Sequence, residues 1–246
     1  MGISDKEFDA IKKTGEQEVQ LVVVNGETYA NRPIHYVGHI EPTCPTVQVS
    51  TLDGLLDYIQ AHFKEPEQIA GLVIHIEDHK TVRVMSLPFG HDFVRHTFCR
   101  AAFDAPKRSI IGGYVEPGMF AVELMATFRN EGDFGDVLQS VGNIRDLREM
   151  DMSDDGVSQT IVVQASVASK APVQIKNPVT LTPIRTFTEI EQPSSPFVLR
   201  IRKDPMAAIL HAGDGGAWKV EAVQRIKDWL VAEKASRGMA NIPVVA

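Results

Sequence analysis

A chain of 246 residues, 43% hydrophobic and 23% charged, has the size and composition of a globular protein with one large domain or two small ones. Its formal net charge of −7 argues against general nucleic-acid binding but allows a local basic surface. The two cysteines, Cys44 and Cys99, lie far apart and outside any CxxC motif, which argues against a disulfide framework or a structural zinc site.

Neither an export signal nor a membrane span is predicted. The first residues, MGISDKEFDAIKK, lack the apolar core of a signal peptide. Apolar runs also stay well short of the ~18 residues that a membrane span requires. We therefore expect a cytoplasmic protein without a membrane partner.

The N-terminal third predicts a strand and then a helix. The run EVQLVVVN is typical of a strand, and the Asn25-Gly26 pair that ends it is a strong turn signal. A helix is expected to begin at Ser50-Thr51, because the apolar residues that follow recur at helical spacing. That apolar stripe consists of Leu52, Leu55, Leu56, Ile59 and Phe63.

The middle of the chain predicts a strand hairpin followed by helices. The run AGLVIHIEDHKTVRVMSL alternates in polarity on both sides of a turn near Asp78. The run DFVRHTFCRAAF is expected to be helical. Pro117 and Asp133 suit the starts of two further helices with apolar stripes, and their short connection predicts a helical hairpin.

From residue 157 onward the apolar pattern changes to period two, which is typical of strands. Short connections between these strands favour an antiparallel sheet, which we expect a last helix, about 217–235, to cover. The predicted fold class is α+β. We expect a mixed region with the helical hairpin at 1–150 and the antiparallel sheet with the last helix at 151–246, separated by a soft boundary or merged into one domain.

A glycine cluster in HAGDGGAWK stands between a strand and a helix, as in many phosphate-binding loops. It lacks the lysine and hydroxyl positions of a P-loop, and it follows strands that are expected to be antiparallel rather than parallel. We interpret Asp214 as a cap of the following helix, and Gly215 and Gly216 as turn residues with unusual backbone angles. A ligand site at this loop is the alternative.

Patterns that would bind metal are weak. Two histidine pairs have HxxxH spacing: His35 with His39, and His75 with His79. Neither pair lies in a stretch with helical periodicity, so the two rings are not expected to face the same way. Asp151, Asp154 and Asp155 are a weak alternative, because they lack EF-hand spacing and precede a glycine typical of a turn. We predict no metal site, no cofactor and no catalytic residue.

Basic residues on neighbouring strands form the candidate ligand-binding site: Arg200 and Arg202 share one strand face, with Lys203 just beyond, and Arg185 is expected in the preceding strand. The candidates are Arg185, Arg200, Arg202 and Lys203. Arginines on the open face of a sheet can hold an anion or a nucleic-acid backbone. The alternative is a solvated face on which these arginines pair with Glu189 and Glu191.

Motifs in the C-terminal half resemble a known family. The most specific is RTF-E--QP-S-F--R, from Arg185 to Arg200, and the next is DGGAW, from Asp214 to Trp218. On these motifs the chain resembles the YfdQ-like proteins, a phage and prophage family carried as a domain of unknown function. The family shows Phe-Glu-Ala ahead of the second motif, where this chain has His211-Ala212-Gly213. The resemblance covers about residues 120–232 and implies a phage origin and a setting inside the bacterial host, without assigning catalytic residues.

Two functions remain open from the sequence. The favoured one is a non-enzymatic phage accessory protein in the host cytoplasm, which self-assembles and binds a phage or host protein or an anionic ligand such as nucleic acid or a nucleotide. The alternative is a metal-dependent enzyme acting on nucleic acid or nucleotides through the three aspartates. A homo-oligomer is expected because the apolar tail NIPVVA has no predicted partner, so that Ile242, Val244 and Val245 would contact a second subunit.

Overall fold

The computed structural model describes residues 21–24, 27–30, 45–89, 93–145, 150–154, 159–166, 169–175 and 177–246. For residues 21–24, 27–30, 143–145, 150–154, 159–166 and 169–175 it describes the backbone alone. The chain divides into two compact units, Met1–Cys44 and Pro45–Ala246. In the first unit, β1 (Leu21–Val24) and β2 (Glu27–Ala30) form an antiparallel pair, as the turn signal between them predicts.

A five-stranded mixed sheet forms the first layer of the second unit. Its strands are β3 (Val47–Val49), β4 (Leu72–Asp78), β5 (Thr81–Ser86), β6 (Thr97–Ala102) and β14 (Val244–Val245), in the order β14-β4-β5-β6-β3. The pairs β4–β5 and β5–β6 are antiparallel, whereas β3 and β14 join the two edges in parallel. The helix predicted over DFVRHTFCRAAF is wrong: Cys99 and Ala101 are buried alternately in β6, because pairing with β5 decides the structure of a short apolar run.

Helix α1 (Leu52–His62) packs on this sheet with the predicted apolar stripe, and the short α2 (Pro66–Ala70) leads into β4. The hydroxyl of Thr51 accepts a hydrogen bond from the Gly54 N–H at 3.0 Å, the expected cap. Glu189, distant in sequence, adds a second cap, since its carboxylate accepts from the N–H groups of Leu52 at 2.5 Å and Asp53 at 3.3 Å. The start of α1 is therefore tied to the C-terminal half of the chain.

A four-stranded antiparallel sheet forms the second core. Its strands are β7 (Phe128–Arg129), β11 (Val179–Pro183), β12 (Ser195–Arg202) and β13 (Ala207–Ala212), in the order β13-β12-β11-β7. The predicted helical hairpin is confirmed as α3 (Pro117–Thr127) and α4 (Phe134–Arg145). Phe120 and Leu124 of α3 and Phe134, Val137 and Val141 of α4 are buried in the core that includes this sheet. The side chain of Asp133, which suited the start of α4, accepts a hydrogen bond from the Thr180 N–H of β11 at 2.7 Å.

A three-stranded antiparallel sheet comprises β8 (Met150–Asp154), β9 (Gln159–Ser166) and β10 (Ser169–Ile175), in the order β10-β9-β8. The α+β fold class is thus confirmed, with the antiparallel C-terminal strands divided between two sheets. The described part of Pro45–Ala246 is not divided into two domains near residue 150. Strand β7 precedes residue 150 and pairs with β11 after it, and β14 follows residue 150 and pairs with β4 before it.

The last helix, α5 (Trp218–Ser236), packs on the five-stranded sheet. The prediction that it would cover the C-terminal antiparallel sheet is therefore wrong. Ile226 and Leu230 share a core with α1 and β4, because the chain after α5 returns beside β4. Val220, in the first turn of α5, is 76% exposed. Among the described residues, no helix is both long and apolar enough to cross a membrane.

The C-terminal tail has a partner within its own chain. Ile242 is 0% exposed in the core under the five-stranded sheet, and Val244 and Val245 pair in parallel with Ile74 and His75. The reason for expecting these residues to contact a second subunit therefore does not hold, since folding of the single chain already covers much of the tail.

Candidate functional site

A pocket of about 280 Å³ lies where the segment before α3, the ends of β12 and β13, and the start of α5 meet. It is lined by Arg108, Ile111, Arg185, Phe197, Ala212 and Trp218. Two of these side chains are cationic and four are apolar. Phe197 and Ala212 face each other across the β12–β13 ladder, which places both on one side of the sheet.

Arg185 is the central polar group of the pocket. It is 5% exposed and follows β11 rather than lying in a strand. Its Nη2 donates to the Pro193 carbonyl at 2.8 Å and to the Ser195 hydroxyl at 2.6 Å, and its guanidinium carbon lies 4.0 Å from the ring centroid of Trp218. Its Nε is buried without a hydrogen-bond partner, and no carboxylate of the described residues forms an ion pair with it.

A buried glutamine holds the backbone on which Arg185 stands. The Gln192 amide oxygen accepts from the N–H groups of Arg185 at 2.9 Å and Thr186 at 3.2 Å, and its amide nitrogen donates to the Phe187 carbonyl at 2.9 Å. The same segment reaches the other core, because the Thr186 hydroxyl donates to the His79 carbonyl at 2.6 Å. The RTF-E--QP motif is therefore a junction between the two cores that also presents Arg185.

Electrostatics at the pocket are unbalanced toward positive charge. The pKa of Arg185 is lowered to about 10: burial is the largest cause, and the charge of Arg108 acts in the same direction, whereas Asp214 opposes both. Burial also lowers the pKa of Arg108, against the opposing effect of Glu123. Both guanidinium groups remain protonated at neutral pH. The shifts therefore express the cost of holding two partly compensated cations at one pocket.

The hydrogen-bonded link between Asp214 and Arg185 runs through a hydroxyl group. Ser195 accepts from Arg185 and donates to Asp214 Oδ2 at 2.6 Å, while Asp214 Oδ1 accepts from the Gly216 N–H at 3.1 Å. Burial raises the pKa of Asp214, but hydrogen bonds from Ser195 and Gly216 together with the charge of Arg185 bring it below its ordinary value. Asp214 is therefore ionised at neutral pH.

The glycine loop is a closed turn. Gly215 and Gly216 have positive φ angles of 59° and 86°, as expected for turn residues. The cap, however, is displaced: α5 begins at Trp218 with Ala217 as its N-cap residue, and Asp214 binds within the turn ahead of the helix. A hydrogen bond within the turn joins the Ala217 N–H to the Asp214 carbonyl at 3.1 Å, ahead of the first helical residue.

Of the two predicted histidine pairs, the structure describes only His75 and His79. His79 lies in the turn after β4 and contacts the edge of the Trp218 ring, with centroids 4.6 Å apart, whereas His75 lies within β4. Burial lowers the pKa of His79, with Lys80, Lys219 and Arg185 acting in the same direction and Asp78 opposing them. In the described part of the chain no group of three histidine, cysteine or acidic residues is placed to hold a metal ion. His35 and His39 lie outside the described residues.

The predicted basic candidates do not lie together. Arg200 and Arg202 occupy the face of β12 opposite the pocket-lining Phe197, and the Arg202 guanidinium lies 4.5 Å from the ring centroid of Tyr114. Lys203 follows at the end of the strand and is exposed. Of the predicted set, Arg185 alone lines the pocket.

Glu189 and Glu191, the expected partners of the basic residues, have other partners in the structure. Glu189 caps α1, and Glu191 lies 3.4 Å from Arg225 of α5, so neither is the partner of the β12 arginines that the alternative required. The side chains of Asp151 and Asp154 in β8, and the whole of Asp155, lie outside what the structure describes. The metal alternative based on them stays a prediction.

Three of the pocket residues had no signal in the sequence. Arg108 follows a lysine in a loop and is typical of a solvated position, and Ile111 and Ala212 carry no motif. Trp218 had one, because it ends the DGGAW motif. The resemblance to the YfdQ-like proteins stays a prediction: no family model, curated protein or solved structure matches the chain.

Proposed function

We propose that this chain binds a small anionic ligand in the pocket lined by Arg108 and Arg185. The observation that carries the proposal is Arg185, a 5% exposed cation whose described partners are a carbonyl, a hydroxyl and an aromatic face. A buried charge without a direct counter-charge costs free energy, and a second guanidinium at the same pocket adds to that cost. An anion between the two groups would offset both contributions.

The size of the pocket favours a small molecule over a polymer. Its volume of about 280 Å³ is close to the lower end, ~300 Å³, of ordinary ligand pockets. A nucleic-acid backbone would need further cations alongside, and Arg200, Arg202 and Lys203 do not line this pocket. A nucleotide-sized or smaller anion fits both observations.

The biological setting is part of the proposal. The resemblance to the YfdQ-like proteins supports a non-enzymatic accessory protein encoded by a phage and acting in the host cytoplasm. Self-assembly stays a prediction, and light scattering of the purified chain at micromolar concentration tests it. No observation favours the alternative of a metal-dependent enzyme.

The test is anion-dependent stabilisation of the full-length chain. Sodium acetate and sodium phosphate are titrated at constant ionic strength, with sodium chloride as the balance, and stability is followed by thermal unfolding and calorimetry. A bound anion at about 100-fold over its Kd stabilises the folded state by ~2.7 kcal/mol. Arg185→Met is expected to weaken anion affinity more than tenfold, because the substitution removes the buried charge but keeps most of the side-chain volume.

Arg202→Gln is the matched control, since it removes an exposed arginine of the same C-terminal region that does not line the pocket. The control is expected to bind as the unmodified chain does. Equal stabilisation of the unmodified and Arg185→Met chains, or none in either, would contradict the proposal.

A further inference from the structure

We propose that the ligand is a small organic carboxylate with an apolar body, and neither inorganic phosphate nor a nucleotide. This inference rests on the proposed anion binding and names the chemical class. It follows from three features of the pocket: the composition of its lining, the supply of N–H donors and the charge of Asp214.

The lining is amphipathic. Arg108 and Arg185 supply the positive charge, while Ile111, Phe197, Ala212 and Trp218 supply apolar surface. An ion that is charged on all sides, such as phosphate, would leave that apolar surface facing polar oxygens. A molecule with one carboxylate and a hydrocarbon part satisfies both regions, and burial of the hydrocarbon part adds affinity.

Three backbone N–H groups of the glycine loop are already engaged. Phosphate sites at glycine loops use several free N–H groups. Here the Gly213 N–H donates to the Pro196 carbonyl at 2.9 Å, the Gly216 N–H to Asp214 at 3.1 Å and the Ala217 N–H to the Asp214 carbonyl at 3.1 Å. Guanidinium groups are therefore the principal donors for an anion, and their planar geometry suits a planar carboxylate.

Asp214 reduces the advantage of a highly charged anion over a monoanion. Its carboxylate is held ionised beside Ser195, which contacts Arg185 directly. Repulsion from this carboxylate grows with the charge of the ligand, so a monoanion is penalised less than a phosphate dianion or a polyphosphate. The same carboxylate partly neutralises Arg185, which further reduces its attraction for a highly charged ligand.

Four probes separate charge from apolar contact, using the full-length chain and calorimetry at constant ionic strength. Phenylacetate carries both features, acetate carries the charge alone, phenylacetamide carries the ring alone, and inorganic phosphate carries higher charge. We expect phenylacetate to bind at least tenfold more tightly than acetate, and more tightly than phenylacetamide and phosphate.

A pocket-filling variant tests the place of the apolar body. Ala212 lines the pocket and is exposed, so Ala212→Phe would fill the apolar part without disturbing a core. It is expected to lower phenylacetate affinity at least fivefold and to leave acetate affinity within twofold. His211→Phe is the matched control, because the neighbouring position of the same strand is also exposed and does not line the pocket.

The outcomes separate the two proposals. Phosphate binding that is lost in Arg185→Met and exceeds phenylacetate binding would overturn the carboxylate class while leaving anion binding intact. Phenylacetate binding that is unchanged in Ala212→Phe would overturn the assignment of the apolar body to this pocket. The absence of binding by every anion would overturn both proposals.

Discussion

Two arginines, Arg237 and Arg185, are both largely withdrawn from solvent, yet their surroundings are opposite. The Arg237 side chain is 18% exposed and contacts three carboxylates: Asp53 at 2.6 Å, Asp57 at 2.7 Å and Glu233 at 3.0 Å. Arg185 is bound by a carbonyl and a hydroxyl, and its Nε has no partner. Arg237 joins α5 to α1 with every nitrogen engaged, whereas Arg185 retains unused charge.

The direction of the pKa shift expresses the same contrast. Burial alone would lower the pKa of Arg237, but hydrogen bonds to Glu233 and Asp57 and the charge of Asp53 raise it above its ordinary value. Burial lowers the pKa of Arg185 to about 10, because its nearest counter-charge acts through Ser195. An arginine whose nitrogens all contact carboxylates stabilises a fold, whereas a buried arginine at a pocket, without a direct counter-charge, is suited to binding an anion.

The largest expected effect is the loss of stability when Gln192, which binds the backbone of Arg185, is removed. Gln192→Ala removes an amide that is 4% exposed and leaves the N–H groups of Arg185 and Thr186 without acceptors. We expect the free energy of unfolding to fall by about 2–4 kcal/mol, since each buried unsatisfied group costs about 1–3 kcal/mol. Urea unfolding measures it. Gln224→Ala, which removes an exposed glutamine of α5, is the control and should change stability by less than ~0.5 kcal/mol.

Replacing each arginine by methionine breaks the comparison directly. Arg237→Met is expected to cost about 1–2 kcal/mol, because it abandons three carboxylates that are themselves more than a third exposed and therefore partly screened. Arg185→Met should stay within about 1 kcal/mol of the unmodified chain, since relief of the buried charge offsets the lost hydrogen bonds. Denaturant unfolding of the pair decides the matter, and a larger loss for Arg185→Met than for Arg237→Met would reverse the contrast.

Removing the indirect counter-charge should sharpen the comparison. Asp214→Asn keeps the shape of the side chain and one of the two acceptor oxygens, but deletes the negative charge that balances Arg185. Anion affinity is expected to rise by roughly two- to fivefold, the scale of one screened charge near the site. Calorimetry with acetate measures the change. An affinity that falls would indicate that Asp214 positions Arg185 and does not oppose the ligand.

The smallest expected effect concerns pH. His79, in contact with Trp218, has a pKa below its ordinary value of 6.5 because of its burial. Between that lowered pKa and 6.5 the unfolded chain binds more protons than the folded chain, so stability decreases as pH falls through this window. Urea unfolding from pH 7.5 to 5.0 should show a shallower decrease for His79→Gln. His211→Gln, at an exposed position, should leave the slope unchanged.

Local patterns predicted much of the scaffold. The stripe from Leu52 to Ile59 predicted α1 and its buried face, and Pro117 preceded the helical hairpin, because helical periodicity reports which face will be buried wherever the partner lies. Period two after residue 157 likewise predicted antiparallel strands. The error at β6 arose because a short run such as Thr97–Ala102 suits either structure until a neighbouring strand pairs with it.

The candidate site was predictable only in part. Arg185 and Trp218 belong to motifs that the sequence singled out, and the N–H groups of Gly216 and Ala217 donate within the glycine loop. Arg108 was not predictable, because it approaches Arg185 through a fold-level contact with the Ile184 carbonyl, at 2.5 Å. Pairing of charges across the fold, such as Glu189 with the start of α1, also leaves no local pattern.

The sequence by itself therefore determined the α+β class, the helical hairpin and the turn chemistry of Gly215 and Gly216, since these depend on periodicity and backbone preference within a few residues. Tertiary structure alone decided that α5 and the tail join the first sheet, that Glu189 caps α1, and that Arg185 is left without a direct counter-charge. Burial and compensation of charge are properties of surroundings assembled from distant segments, and such surroundings exist only once the chain has folded.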